Sequence, residues 1–198
     1  MSRNVGTRAR ILDEARRLLE ERPGASPSMS EVAAAAGVSR QALYLHFADR
    51  TALLLEVGRQ ADSAARTAER QQRIDGAATA HEALRATISV QAELKPELQG
   101  IATALDVLGR SDTAAEAAWQ EREQARLQRC RAVVKRLRAE RALAPDLDLN
   151  TASQLLWAMT SQRVWDDLVA DQGWTTTRYR THLIRLAERA LLASDAPS

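Results

Sequence analysis

The sequence predicts an all-α protein, and three observations carry that prediction. Ala, Leu, Glu, Arg and Gln dominate the 198 residues, and all five are good helix formers. Val and Ile are scattered, and no stretch alternates apolar with polar residues as a half-buried strand would. Turn-forming residues punctuate the chain at Arg22–Pro27, Gly37, Asp75-Gly76, Pro96, Gly109–Asp112, Ala144–Asp146 and Gln172-Gly173, leaving about nine helices between them. The helices are short up to residue 50 and longer afterwards. This sets an N-terminal three-helix domain over 1–50 and a second helical domain over 51–198.

The first helix, from about Thr7 to Glu20, places Ile11, Ala15, Leu18 and Leu19 on one stripe. The second starts at Ser28-Met-Ser-Glu31, where Ser28 and Glu31 can satisfy each other's amides as a capping box. It runs through Val32 and four alanines to Gly37, a residue suited to a left-handed helix end. Ser39 caps the third helix, which is over by Phe47. Asp49 caps the fourth, whose Leu53, Leu54 and Leu55 begin a long Ala-rich helix to about Gln72. Two short helices around a Gly-containing turn outline a helix-turn-helix, although an ordinary helical corner would share that spacing.

Beyond residue 75 the stripes are broader. In the fifth helix Gln91 falls on the Leu84–Ile88 stripe. Asp106 lies opposite Ile101, Leu105 and Leu108, as a solvated residue would. Over about 113–140 the stripe of Ala115, Trp119, Leu127, Cys130, Val134 and Leu137 is interrupted by Glu123 and Arg126. These two either line a polar part of a pocket or, more plainly, form an exposed i, i+3 ion pair. Trp119 and Trp157 could stack on a flat ligand, but large aromatics at helical spacing are more often core. The helix over about 151–171 is apolar nearly all round, so it must be covered on more than one side. A second subunit would do this, as would one thick monomeric core. The last helix, about Thr176–Ala193, is narrower, with Tyr179, Leu183, Ala187, Ala190 and Leu191 on one face.

Composition excludes several functions. Net charge is only +2, and that excess lies in residues 1–50, where eight Arg face six acids. The lone Cys130 rules out an intrachain disulfide, suits a reducing compartment and reads as an inert core thiol. His46, His81 and His182 are far apart and form no metal-binding pattern, and no Gly-rich phosphate loop occurs. An enzyme, a metal site and a cofactor are therefore not expected. No run is long enough to span a membrane, so a cytoplasmic location is expected.

The third helix carries the sharpest pattern. At about 100° per residue, Leu43 and Phe47 form the buried edge, with Val38 beneath. Gln41, Ala42 and Leu45 lie opposite, Arg40 and Tyr44 on one flank, His46 on the other. A helix in the DNA major groove needs this layout, with base edges at its centre and phosphate walls at its flanks. Tyr44 and His46 can each donate to phosphate. Gln41 can bind adenine in bidentate fashion, Arg40 guanine, and Leu45 or Ala42 a thymine methyl.

The stretch PSMSEVAAAAGVSRQALYLHFADRTALL resembles the DNA-binding signature of the TetR-like family of bacterial transcription regulators. The matching positions are Val32-Ala33, Ala36-Gly37-Val38-Ser39, Leu43-Tyr44, His46-Phe47 and Leu53-Leu54, within about residues 7–58. The family commonly has Thr at position 42 and Lys at position 50. Ala42 removes a hydroxyl from the reading face, and Arg50 keeps a phosphate-directed cation. LLWAMTSQRVWDDLVADQGWTTTRY is similar, more loosely, to a segment of many members.

The resemblance implies a DNA-binding domain over 1–50 and an effector-binding and dimerisation domain over 51–198. The candidate DNA contacts are Ser28, Ser39, Arg40, Gln41, Ala42, Tyr44, Leu45, His46 and Arg50. It also implies a homodimer through about 151–193, where Leu168 and Leu183 are expected at the interface. An effector pocket among the middle helices would use Gln91, Trp119, Glu123, Arg126 and Trp157, a lining suited to a largely apolar molecule. The implied function is a homodimeric repressor released from double-stranded operator DNA by that molecule. The alternatives are an effector-free DNA-binding dimer, or a helical small-molecule-binding protein with an incidental helix-turn-helix.

Overall fold

The computed structural model describes residues 2–22, 26–61, 64–109 and 112–193. Among these the chain is helical: α1 (Ser2–Glu21), α2 (Met29–Ala35), α3 (Arg40–His46), α4 (Arg50–Ala61), α5 (Ala64–Asp75), α6 (Ala80–Gly109), α7 (Thr113–Ala139), α8 (Leu149–Met159), α9 (Gln162–Trp165), a π-helical turn over Asp166–Asp171, and α10 (Thr176–Leu191). The described residues contain no strand, only one antiparallel bridge between Leu143 and Leu192. The chain divides into two compact units, residues 1–63 with 97–121 and residues 64–96 with 122–198.

In the first unit α1 buries Ile11, Leu12, Ala15, Leu18 and Leu19. Four of these follow from the sequence stripe, and Leu12 widens it. Val32 and Ala33 of α2, Leu43 and Phe47 of the α3 segment and Leu53, Leu54 and Val57 of α4 are also buried. Gly100 of α6 has a packing reason. A Cβ there would stand 2.5 Å from the carbonyl oxygen of Leu19, so only glycine lets the two backbones approach.

The second unit has its own core, in which Leu84, Ile88, Cys130, Val134, Leu137, Leu156, Trp165, Tyr179, Leu183 and Leu191 take part. Glu188 of α10 reaches His81 at 2.7 Å and Arg85 at 2.9 Å on α6. The Glu140 carboxylate accepts from the Ala80 amide at 2.6 Å, capping the start of α6.

Two boundaries differ from expectation. Pro96 is not a break, because it lies inside α6. An interior proline removes one backbone bond and costs about 3 kcal/mol. Burial of Ala92 before it, and of Leu98 and Ile101 after it, offsets that cost. The single helix expected over 151–171 is instead α8, α9 and the π turn. Thr160 turns its hydroxyl onto the Leu156 carbonyl at 2.8 Å, and the Ser161 hydroxyl accepts from the Val164 amide at 3.2 Å. Side chains that bond the local backbone compete with helix continuation in this way. The Arg22–Pro27 and Gly109–Asp112 loops and the middle of the long helix expected to Gln72 fall partly outside the described residues, as does the side chain of Asp106.

Candidate nucleic-acid interface and effector cluster

The α2–α3 geometry is built by local bonds that its sequence supplies. Ser28 accepts from the Glu31 amide at 3.2 Å, and the Glu31 carboxylate accepts from the Ser28 amide at 2.8 Å. Those bonds, the Ser28 amide first and then Arg22, hold Glu31 down at about 2. At its far end α2 closes with Val38 N–H on the Ala33 carbonyl and Gly37 N–H on the Ala34 carbonyl. This paired closure needs a left-handed residue, and Gly37 has φ +62°. Arg10 Nε on α1 donates to the Ala36 carbonyl at 2.9 Å, tying the turn to the first helix. Ser39 then caps α3 by accepting from the Ala42 amide at 3.1 Å, and the Asp49 carboxylate caps α4 at the Ala52 amide at 2.7 Å.

The result is a two-sided α3. Leu43 and Phe47 are buried, while Leu45 is 84% exposed and Tyr44 42% exposed. Ser28, Ser39, Arg40 and Gln41 are also exposed, and Ala42, His46 and Arg50 are half-buried. The Arg40 guanidinium donates to the Tyr44 hydroxyl at 3.4 Å and stands 5.7 Å from its ring centre. Folding therefore holds one cation and one phenol together on the same flank of α3. A leucine so exposed beside two polar flanks has no role in the unit's own core.

The residues expected around an effector are divided. Trp119 is half-buried on the part of α7 that belongs to the first unit. Gln91, Glu123, Arg126 and Trp157 belong to the second. There Glu123 and Arg126 form the i, i+3 ion pair, at 2.5 Å, but Arg126 is not exposed. Its guanidinium also donates to the Trp157 carbonyl and the Thr160 hydroxyl, and lies 4.9 Å from the Trp157 ring centre. Burial turns a surface pair into a fully bonded interior group, as a buried charge requires. Gln91 is buried on α6, one turn before Lys95.

Sequence reasoning missed Lys95, Asp166 and Tyr179 as polar members of this region. Lys95 is 5% exposed. Burial, then Arg126, push its ammonium down to about 7 against the opposing pull of Glu123 and Asp166. Burial pushes Asp166 up, although the Gln162 amide donates to it at 2.9 Å. Burial raises Tyr179 to about 12. The signal for Lys95 was present: it continues the Ile88–Gln91 stripe, in a chain whose cations are otherwise nearly all arginine. Burial also pushes the Cys130 thiol up, which disfavours the reactive thiolate. No group of three potential ligands for a metal occurs among the described residues, and none of their helices is long and apolar enough to cross a membrane.

Comparison with known proteins places this geometry. Residues 11–57 match the family model of bacterial regulatory proteins of the tetR family. Over 57 residues, 29% of this chain, the sequence is 44% identical to the HTH-type transcriptional regulator AcrR of Shigella flexneri. That match spans only 26% of the length of the relative. Three solved structures share the fold. A transcriptional regulator from Saccharomonospora viridis in complex with choline has a TM-score of 0.79 at 18% identity, over 95% of this chain and 98% of the other. FadR of Bacillus subtilis in complex with stearoyl-CoA has 0.71 at 19%, over 92% and 98%. NalD, the secondary repressor of the MexAB-OprM multidrug efflux pump in Pseudomonas aeruginosa, has 0.70 at 23%, over 99% and 100%.

Proposed function

We propose, for a chain whose residues 11–57 match the family model of bacterial regulatory proteins of the tetR family, that it is a homodimeric repressor which a small molecule releases from operator DNA. The observation that carries this reading is the two-sided α3, with Leu45 turned out and Leu43 and Phe47 turned in. In the groove, Gln41, Ala42 and Leu45 would read base edges. Arg40 and Tyr44 on one flank, His46 on the other and Arg50 at the start of α4 would meet the phosphate walls. Ser28 and Ser39 stand at the exposed starts of α2 and α3, where a hydroxyl can add a phosphate contact.

Dimerisation is supported by the second unit. Leu155 on α8 and Leu186 on α10 are 39% and 51% exposed, although both helices bury other faces. A two-fold dimer through α8 and α10 would cover them. Operator binding would require its two copies of α3 about 34–36 Å apart, the spacing of successive major-groove half-sites. An effector is supported by the buried polar side chains of the second unit, and by neighbours in the same fold that were solved with choline or stearoyl-CoA.

Selection from a random double-stranded DNA pool tests the reading directly. The expected product is a palindrome with half-sites one helical turn apart, bound with a steep salt dependence. Failure to enrich any sequence would overturn it.

A further inference from the structure

The second unit contains buried donors that nothing satisfies. Trp165 Nε1, Trp157 Nε1 and the Tyr179 hydroxyl are buried and make no hydrogen bond among the described residues. Lys95, a buried residue, stands among the same charges, with Glu123 and Asp166 favouring its ammonium and Arg126 opposing it. These groups share one neighbourhood. The Trp165 and Tyr179 rings meet edge to face at 4.9 Å, Asp166 follows Trp165 directly, and both Lys95 and Tyr179 lie within the fields of Arg126 and Asp166. Trp157 lies under the Arg126 guanidinium.

The unmet chemistry is one-sided. An indole N–H and an ammonium can only donate, and a phenol can donate. Of the nearby acceptors, Glu123 is bonded by Arg126 on both oxygens and Asp166 by Gln162 on one. What is missing is therefore an acceptor, not another donor. Buried polar groups in folded proteins are nearly always paired, so an orphaned set of one kind marks a place for its complement.

We propose that this region receives a carboxylate, the head group of a small monoanionic ligand, with Lys95 as its counter-charge and the Tyr179 hydroxyl and Trp165 ring N–H as further donors. Lys95 supplies one cation for one negative charge, since Arg126 is already committed to Glu123; a phosphate dianion would need a second. The apolar body of the ligand would lie against Ile88, Leu156 and Leu183, which belong to the surrounding core. This deepens the effector reading and rests on it only for the consequence to DNA binding.

The test uses the full chain and matched probes: hexanoate, decanoate and 2-naphthoate, each against its own alcohol, with decyltrimethylammonium as the cationic control. Binding is read by calorimetry and tryptophan fluorescence. At least one carboxylate is expected to bind about 10-fold or more tightly than its alcohol, as a charge-assisted bond in a dry site would give. Lys95→Met should abolish that preference while leaving alcohol binding intact. Tyr179→Phe, which removes only the hydroxyl, should reduce it if the Lys95 variant proves misfolded by circular dichroism. The proposal is overturned if no carboxylate exceeds its alcohol, if the cation binds best, or if folded Lys95→Met keeps the preference. A carboxylate that binds as expected without releasing operator DNA would leave the site standing and remove the switch. An uncharged effector that releases DNA would do the reverse.

Discussion

Thr51, the second residue of α4, donates its hydroxyl hydrogen to Asp112, the residue that caps α7, at 2.5 Å. The same carboxylate accepts from the Ala114 and Ala115 amides at 2.9 and 3.2 Å, so one side chain starts α7 and holds α4. Thr51 first, then those amides, keep the Asp112 carboxyl below its ordinary range. Because Asp49 caps α4 immediately after α3, any movement of α4 reaches α3 through three residues of chain.

Thr51→Val should keep the side-chain volume and the α7 cap while freeing the start of α4. Stability should fall by about 1 kcal/mol, the usual net worth of such a bond. Ligand affinity should be unchanged, but the ligand's effect on DNA affinity should shrink. An unaltered coupling between ligand and DNA titrations would show that this contact transmits nothing.

On α3, Tyr44→Phe removes a flank hydroxyl, so binding to all DNA sequences should weaken alike. Gln41→Ala removes a group from the reading face, so preference should relax at one or two base positions by about 1–3 kcal/mol each. Anisotropy titrations on cognate and scrambled duplexes separate the two. Equal losses on both duplexes for Gln41→Ala would count against the assigned orientation of the helix.

The dimer prediction changes with the structure. Leu183, expected at the interface from sequence, is buried with Tyr179, Ala187 and Leu191 in the core of its own unit, and Leu168 is only half-buried. Leu183→Glu should therefore unfold the second unit, because it buries an unpaired charge. Leu155→Glu with Leu186→Glu should instead give a folded monomer. Sedimentation with circular dichroism distinguishes these, and a normal dimer from the double variant would remove this interface.

Lys95 also makes a pH prediction. Its ammonium is held at about 7 in the folded chain and returns to about 10.4 when unfolded. Between those values the unfolded chain binds more protons, so this residue makes stability rise with pH, by up to ~1.4 kcal/mol per unit. Below pH 7 the full cost of the buried charge is present. Lys95→Met should consequently gain most over the parent near about pH 6 and progressively less towards about pH 10. Urea unfolding across that range measures the difference; a constant offset would place Lys95 in solvent.

The sequence by itself determined what depends on neighbours a few residues away. Capping by Ser28, Ser39 and Asp49, the left-handed Gly37 and the two faces of α3 are set within one or two helical turns, so their residue spacing is sufficient to read them. The two-sided α3 was legible for that reason. Tertiary structure decided what depends on the surroundings of a face. Pro96 stays helical because packing on both sides offsets its lost bond, and Leu183 turns into its own core where the helix pattern alone left subunit interface and core indistinguishable. Arg126 and Lys95 make the same point with charge. Each stands on a stripe that the sequence displays, but only the packed helices remove their water, pair Arg126 with Glu123 and bury Lys95 so that its ammonium is disfavoured.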